Sequence, residues 1–149
     1  MSAGAERLRT ALREAGGSLG AHVYHDAAES PHDEHDHAAA AAAGPRVAAH
    51  REEVELAVAA VREGYELHYG RPRVLEIEDA DFGLLAGDRL YALGLARLAA
   101  AGDLAAIAEL ADIISASAQA HAGEDPQLAD EAWRSGTRAI GWGRKGSEP

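Results

Sequence analysis

Apolar residues recur at intervals of three and four along most of this chain, which is the spacing expected of α-helices with one buried face. The first such segment covers residues 3–15, where Leu8 and Leu12 fall on one side, and two glycines end it. A second segment covers residues 48–69 and ends at Gly70. No segment alternates apolar and polar residues strictly enough for a half-buried strand. The pattern therefore predicts an all-α protein.

The third segment, residues 81–101, differs from the others because its leucines surround most of the helix circumference. A helix that is apolar on most sides must be covered on most sides. Two more helices are predicted at residues 103–122 and 125–140, each opened by an aspartate that can cap the free N–H groups of the first turn. Five helices in residues 1–149 predict one compact bundle with a single domain.

Two stretches lack this periodicity. Residues 18–47 combine a histidine-rich cluster with an alanine tract, and alanine favours helix but has little surface to bury, so we expect a mobile connection with partial helix. Residues 141–149 are expected to form a flexible tail. The cluster between His22 and His37 offers imidazole and carboxylate groups to zinc or nickel. Because nothing orients these ligands, a solvated loop is the favoured interpretation.

Composition limits the classes of partner. Fourteen basic and 25 acidic side chains give a net charge of −11, which disfavours nucleic acid and bare phosphate ligands. The absence of cysteine excludes disulfides and thiolate metal sites. No leader sequence and no long apolar run is apparent, so we expect a cytoplasmic protein without a membrane span.

Two short motifs stand at a fixed separation in the middle of the chain. The first is Gly70-Arg71-Pro72 and the second is Leu85-Ala86-Gly87-Asp88. In this order and at this separation, residues 54–125 resemble the trans-type polyprenyl diphosphate synthases, helical enzymes that condense isopentenyl diphosphate onto an allylic diphosphate. The resemblance implies that the bundle is similar to part of the isoprenoid synthase fold.

The same resemblance implies that the reaction centre has been lost. Without a gap, the aspartates of the family's first motif fall on Ala59, Ala60 and Glu63, and its paired arginines fall on His68 and Tyr69. In the family, those aspartates hold the magnesium ions that neutralise the leaving diphosphate, a task suited to carboxylate oxygens. No Asp-Asp-x-x-Asp sequence occurs anywhere in the chain. We therefore expect no catalytic residue, no bound metal and no cofactor.

Some polyprenyl diphosphate synthases are heteromers in which a small subunit lacks both aspartate motifs. This chain resembles such a noncatalytic subunit, which stabilises a catalytic partner and helps set the length of the prenyl product. The helix at residues 81–101 would supply the partner interface or line the prenyl tunnel, through Leu84, Leu85, Asp88, Tyr91 and Leu95.

An alternative is a stand-alone homodimeric module that holds an isoprenoid or another apolar ligand in a cavity lined by Ala92, Ala96 and Ala99. Several polar residues also have plain structural interpretations. Asp88 is expected to be buried and paired with a neighbouring arginine, and His121 is expected at a surface or helix end.

Overall fold

The computed structural model describes residues 2–25 and 35–144. Helices account for nearly all regular structure in this part of the chain, and the prediction of an all-α protein is confirmed. The only extended pairing described is an isolated antiparallel bridge between Val23 and Leu75. The seven helices are α1 (Ala3–Ala15), α2 (Gly17–Ala21), α3 (His37–Ala42), α4 (Arg51–Tyr69), α5 (Ala80–Ala100), α6 (Leu104–Ala122) and α7 (Pro126–Trp142), with a 3-10 turn at Pro45–Val47.

Local signals set most of the helix ends. The bounds predicted for α1 are confirmed, and α6 and α7 begin directly after their predicted aspartate caps. Glycine with a positive φ, 76° at Gly102, lets the chain turn between α5 and α6. Four aspartate side chains accept an N–H of the first turn: Asp36 from Ala39 at 2.9 Å, Asp79 from Phe82 at 3.0 Å, Asp103 from Ala106 at 3.0 Å and Asp125 from Leu128 at 3.3 Å.

Helix α4 lies at the centre of the bundle. Helix α5 packs along one side of it, and α1 and α3 pack along others. Helix α7 packs against α6 and α3 and buries Trp133, which is 1% exposed. The buried surface of α4 is apolar over most of its length. It includes Val54, Ala57, Val58, Ala60 and Val61, which are each 0% exposed.

Glycine residues allow α4 and α5 to pack backbone against backbone. A Cβ atom at Gly94 of α5 would lie 2.7 Å from the carbonyl oxygen of Ala57 in α4. A Cβ atom at Gly64 of α4 would lie 2.7 Å from the carbonyl oxygen of Gly87 in α5. The contact between these two helices therefore leaves no space for a prenyl chain, so an apolar ligand would have to lie on another side of α5.

Replacing Gly94 with valine should force the two helices apart. We expect the free energy of unfolding, measured by urea denaturation, to fall by about 2 kcal/mol, as for other overpacked sites. Valine at Ala96 is the matched control, because this residue of the same helix is exposed and the change costs only about 0.6 kcal/mol of helix propensity. Equal losses for the two variants would contradict the close packing of α4 and α5.

The segment at residues 18–47, predicted to be a mobile connection, forms helices α2 and α3 and the 3-10 turn in its described parts. Helix α3 packs against both α4 and α7. Half of the alanine tract is buried, since Ala38, Ala41 and Ala42 are each at most 7% exposed, whereas Ala39, Ala40 and Ala43 are exposed. These three alanines are buried because the chain at the end of α3 lies close to α7. The backbones of Gly44 and Gly141 meet there, and a Cβ atom at Gly44 would overlap Gly141.

The first two residues of the predicted tail, Gly141 and Trp142, belong to a helix. Helix α7 continues through Trp142, and Gly141 is buried rather than free. Residues 145–149 lie outside the described residues. Among the helices of the described part, none combines the length and the apolar character needed to cross a bilayer.

Candidate functional site

The C-terminal half of α4 carries the positions at which the resemblance places metal-binding aspartates. Ala59 and Ala60 are buried in the core and offer no oxygen. Glu63 does carry a carboxylate, but its side chain faces the protein interior and the residue is 3% exposed. The only acidic group at these three positions is therefore withdrawn from solvent.

The Glu63 carboxylate binds the backbone of the loop that follows α4. One oxygen, Oε1, accepts the N–H of Arg73 at 2.8 Å, and the other, Oε2, accepts those of Val74 and Leu75 at 2.8 Å each. Burial raises the pKa of Glu63, while the three N–H groups and the charge of Arg73 act in the opposite direction. All three neighbours are donors, so this carboxylate stabilises a loop and has little capacity left for a metal ion.

Glu66, one turn later, holds the first part of the same loop. Its Oε2 atom accepts the N–H of Arg71 at 2.8 Å, and its Oε1 atom lies 2.7 Å from Arg62 and 3.3 Å from Arg73. A Cβ atom at Gly70 would lie too close to this carboxylate, so any larger residue there would displace the Glu66 side chain. The Gly-Arg-Pro motif thus serves a turn that two glutamates of α4 hold in place.

Aromatic rings occupy the positions of the family's paired arginines. His68 stacks on Tyr91 of α5 with ring centroids 5.3 Å apart, and its Nε2 atom lies 3.1 Å from Asp88 Oδ1. Tyr69 stacks on His121 of α6 at 4.2 Å with an interplanar angle of 3°. These contacts join the end of α4 to both α5 and α6. They would not supply the permanent positive charge that arginine provides to a diphosphate.

His121 has a larger packing role than a helix-end position suggests. Its Nε2 atom lies 2.8 Å from the Tyr65 hydroxyl. The Tyr65 ring in turn packs against the buried Trp133 ring, with the two ring centroids 5.4 Å apart. The guanidinium of Arg62 covers the rings of Tyr65 and Trp133 at 4.6 Å and 4.9 Å. The rings contributed by α4, α5, α6 and α7 therefore form one continuous cluster.

The residues predicted to contact a partner occupy different environments on α5. Leu84 and Leu85 are 46% and 65% exposed, whereas Tyr91 and Leu95 are half-buried. Tyr91 packs against Gly64 and His68 of α4, and burial raises its pKa. We define the outer face of α5 by Leu84, Leu85, Asp88, Ala92, Ala96 and Ala99, which are all exposed; the charged residues Asp81, Arg89 and Arg97 of the same helix are exposed as well.

The expectation that Asp88 is buried beside Arg89 or Arg97 is wrong. The Asp88 side chain is 66% exposed, and its described partner is His68. Asp88 instead lines a shallow groove of about 480 Å³ between α2 and α5, together with Phe82 and Leu85. The three alanines assigned to an apolar cavity are exposed on the outer face of α5 and do not line the interior of the bundle.

A second polar cluster lies at the start of α6. Asp103 is 6% exposed, and beyond its capping role its Oδ2 atom accepts Arg46 at 2.8 Å and lies 2.7 Å from His50 Nε2. Burial alone would raise the pKa of Asp103, but hydrogen bonds from Arg46, the Ala106 N–H and His50 lower it to about 2. Arg46 also donates to the carbonyl of Ile140 at 2.7 Å. The cluster thus joins the 3-10 turn to α6 and α7.

Of the five histidines between His22 and His37, His32 lies outside the described residues, as do Asp33 and Glu34. The rings of His35 and His37 are 6.0 Å apart, and His22 Nδ1 lies 2.6 Å from the Ser18 carbonyl. Within residues 2–25 and 35–144, no three histidine, aspartate or glutamate side chains are arranged to hold a metal ion.

Sequence analysis did not foresee the loop held by Glu63, the ring cluster or the ion pairs of Asp103. Two glutamates one turn apart before Gly-Arg-Pro were the visible signal for the first.

No family model matches this chain, and no match exists among the curated proteins or the solved structures compared.

Proposed function

We propose that this chain is a noncatalytic subunit of a heteromeric polyprenyl diphosphate synthase, with the outer face of α5 covered by a catalytic chain that carries both aspartate-rich motifs. The proposal combines the two motifs at their family spacing with one structural observation. The carboxylate at a family metal position, Glu63, already accepts three backbone N–H groups, and its two companion positions are alanines. Electrostatic stabilisation of a leaving diphosphate would have to come from the partner.

The exposed surface of α5 supports the assignment of the contact. Leu85 is 65% exposed and Leu84 is 46% exposed, on a helix whose opposite side packs tightly against α4 through glycines. The remaining outer-face residues are mostly alanines, which let another helix approach closely. Large apolar side chains exposed beside small ones are typical of a surface that another chain covers.

The close packing of α4 and α5 also favours a particular position for the growing prenyl chain. With the space between these helices filled by backbone contacts, an apolar product would lie between the outer face of α5 and the partner. In this arrangement Leu84, Leu85 and Leu95 would contribute to the tunnel that sets product length. The noncatalytic chain would then affect product length without touching the reacting atoms.

The test is co-expression with the catalytic polyprenyl diphosphate synthase chain of the same source. We expect the two chains to co-purify and the complex to make a product of different length from the catalytic chain alone. The noncatalytic chain by itself should not consume isopentenyl diphosphate in the presence of magnesium and an allylic diphosphate. Absence of a complex together with unchanged product length would reject the proposal.

Charge placed on the outer face of α5 should break the complex. We expect the double variant Leu84→Asp/Leu85→Asp to weaken partner binding by at least about 100-fold, because two apolar contacts are lost and two carboxylates are desolvated. Leu128→Asp is the matched control, since Leu128 is 52% exposed on α7. Size-exclusion chromatography with light scattering measures both complexes. If Leu128→Asp weakened the complex equally, the contact would not lie on the outer face of α5. If the chain formed a homodimer that only the double variant disrupted, the homodimeric alternative would be supported.

A further inference from the structure

A second groove lies on the side of the molecule formed by α3 and α7. Its volume is about 770 Å³, within the range of about 300–1,000 Å³ typical of small-molecule sites. His35 and His37 line one wall, and Arg134, Arg138 and Trp142 line the other. The groove includes no residue of α5, so an inference about it does not depend on the proposed function.

Two arginines on the α7 wall have no carboxylate partner in the described part of the chain. Arg134 and Arg138 are exposed and one helical turn apart, which places their Cβ atoms about 5–6 Å from each other. Their guanidinium groups take part in none of the described ion pairs or hydrogen bonds. In a chain with 25 acidic and 14 basic residues, Arg134 and Arg138 thus form a local pair of cations on one helix face.

The groove also has two acidic residues, and neither forms a described ion pair with Arg134 or Arg138. Asp36 is the cap of α3 and accepts the N–H of Ala39 at 2.9 Å. Glu131 is the other carboxylate in the lining, and it precedes Arg134 by one turn. Thr137 directs its hydroxyl inward to the carbonyl of Trp133 at 2.7 Å. The guanidinium groups of Arg134 and Arg138 are therefore free of partners among the described residues and accessible to a ligand in the groove.

An exposed aromatic ring completes this wall. Trp142 is 52% exposed, whereas the other tryptophan of the chain, Trp133, is 1% exposed. It lies one turn beyond Arg138, or about 6 Å along the helix axis at 1.5 Å per residue. An exposed indole ring and two exposed guanidinium groups therefore line the same groove on successive turns of one helix.

We propose that the groove between α3 and α7 binds a small organic anion, with its carboxylate or phosphate on Arg134 and Arg138 and its planar ring on Trp142. Guanidinium groups form paired hydrogen bonds to carboxylate and phosphate oxygens, and an indole ring stacks favourably on another ring. The concave wall formed by two helices favours a small ligand over an extended peptide. Neither an inorganic anion nor an uncharged ring would satisfy both halves of the site.

Tryptophan fluorescence of the full chain tests the proposal at low ionic strength. Phenyl phosphate and benzoate are the complete probes, and comparison of the two identifies the preferred anion. Inorganic phosphate and benzyl alcohol are the half probes. We expect saturable binding of at least one complete probe, with each half probe bound at least about tenfold more weakly, since each makes only one of the two contacts. Trp142→Phe should remove most of the fluorescence change, because Trp133 is buried.

Charge variants separate a specific site from general attraction. Arg134→Gln/Arg138→Gln should weaken binding of the complete probe at least about tenfold. Arg89→Gln removes the same kind of charge from the exposed surface of α5 and should change binding less than about twofold. Equal effects of the two sets, a signal retained in Trp142→Phe, or no saturable binding would overturn the proposal. Binding of a glutamate-rich peptide without binding of either complete probe would also overturn it, in favour of a protein partner.

Discussion

Replacing Glu63 with alanine is expected to lower the free energy of unfolding by about 4 kcal/mol, because three buried N–H groups lose their acceptor and each unsatisfied group costs about 1–3 kcal/mol. Those groups belong to Arg73, Val74 and Leu75, and all three contacts are 2.8 Å long. The same loop pairs with the N-terminal region, since Tyr24 donates to the carbonyl of Val74 at 3.0 Å. Urea denaturation should therefore detect loss of the loop as part of global unfolding.

Two further variants define the origin of this loss. Glutamine at position 63 keeps one carbonyl acceptor and avoids the cost of a buried charge, so we expect a smaller loss of about 2 kcal/mol. Glu52→Gln is the control, because that side chain is 77% exposed, and its expected effect is below about 0.5 kcal/mol. A full-stability Glu63→Ala protein would show that the carboxylate is not needed by the loop. That result would leave it available for another ligand and would weaken the proposed function.

Replacing Asp103 with alanine is expected to cost about 3 kcal/mol of unfolding free energy. About 1 kcal/mol comes from the lost helix cap, and the remainder comes from leaving the partly buried Arg46 without its anionic partner. Asp125→Ala is a close control, because Asp125 caps α7 through a single contact of 3.3 Å to the Leu128 N–H. Asp125→Ala should lose only the cap, about 1 kcal/mol of unfolding free energy. Equal losses at the two caps would show that Arg46 and His50 contribute nothing measurable.

The acid dependence of stability gives a second measurement of the Asp103 cluster. The pKa of Asp103 is lowered to about 2 from an ordinary 3.8. A carboxylate with a lowered folded pKa contributes stability above its unfolded pKa and loses that contribution as the pH falls through the folded value. The stability difference between the wild type and Asp103→Ala should therefore shrink by about 2 kcal/mol between pH 5 and pH 2. A difference that stays constant over this range would contradict the lowered pKa.

Glu63 connects stability with the functional proposal. At a position where the resemblance expects a metal ligand, this chain has a carboxylate, so the sequence alone leaves open a residual metal site. The loop geometry argues against that role, because a metal ion would have to displace three backbone donors. Glutamate in place of the family's aspartate at position 63 would thus stabilise the fold while removing a catalytic ligand. A noncatalytic subunit can accept that exchange, whereas an independent enzyme cannot.

The sequence by itself determined five of the seven helices described for this protein. Apolar spacing, aspartate caps and glycine stops act within one or two helical turns, so α1, α4, α5, α6 and α7 were predicted close to their observed bounds. The Gly70 turn and the apolar character of α5 were also visible in the chain. These features depend on neighbouring residues and therefore on local physical rules.

Only the tertiary structure decided how those elements use their side chains. Asp88 became exposed and three alanines of α3 became buried because the positions of α4, α5 and α7 set which surface each residue faces. Glu63 binds Arg73, ten residues away in the chain, and Asp103 binds Arg46, 57 residues away. Burial and long-range hydrogen bonding depend on how helices pack against one another, and a one-dimensional periodicity specifies which face of a helix is apolar but not what covers it.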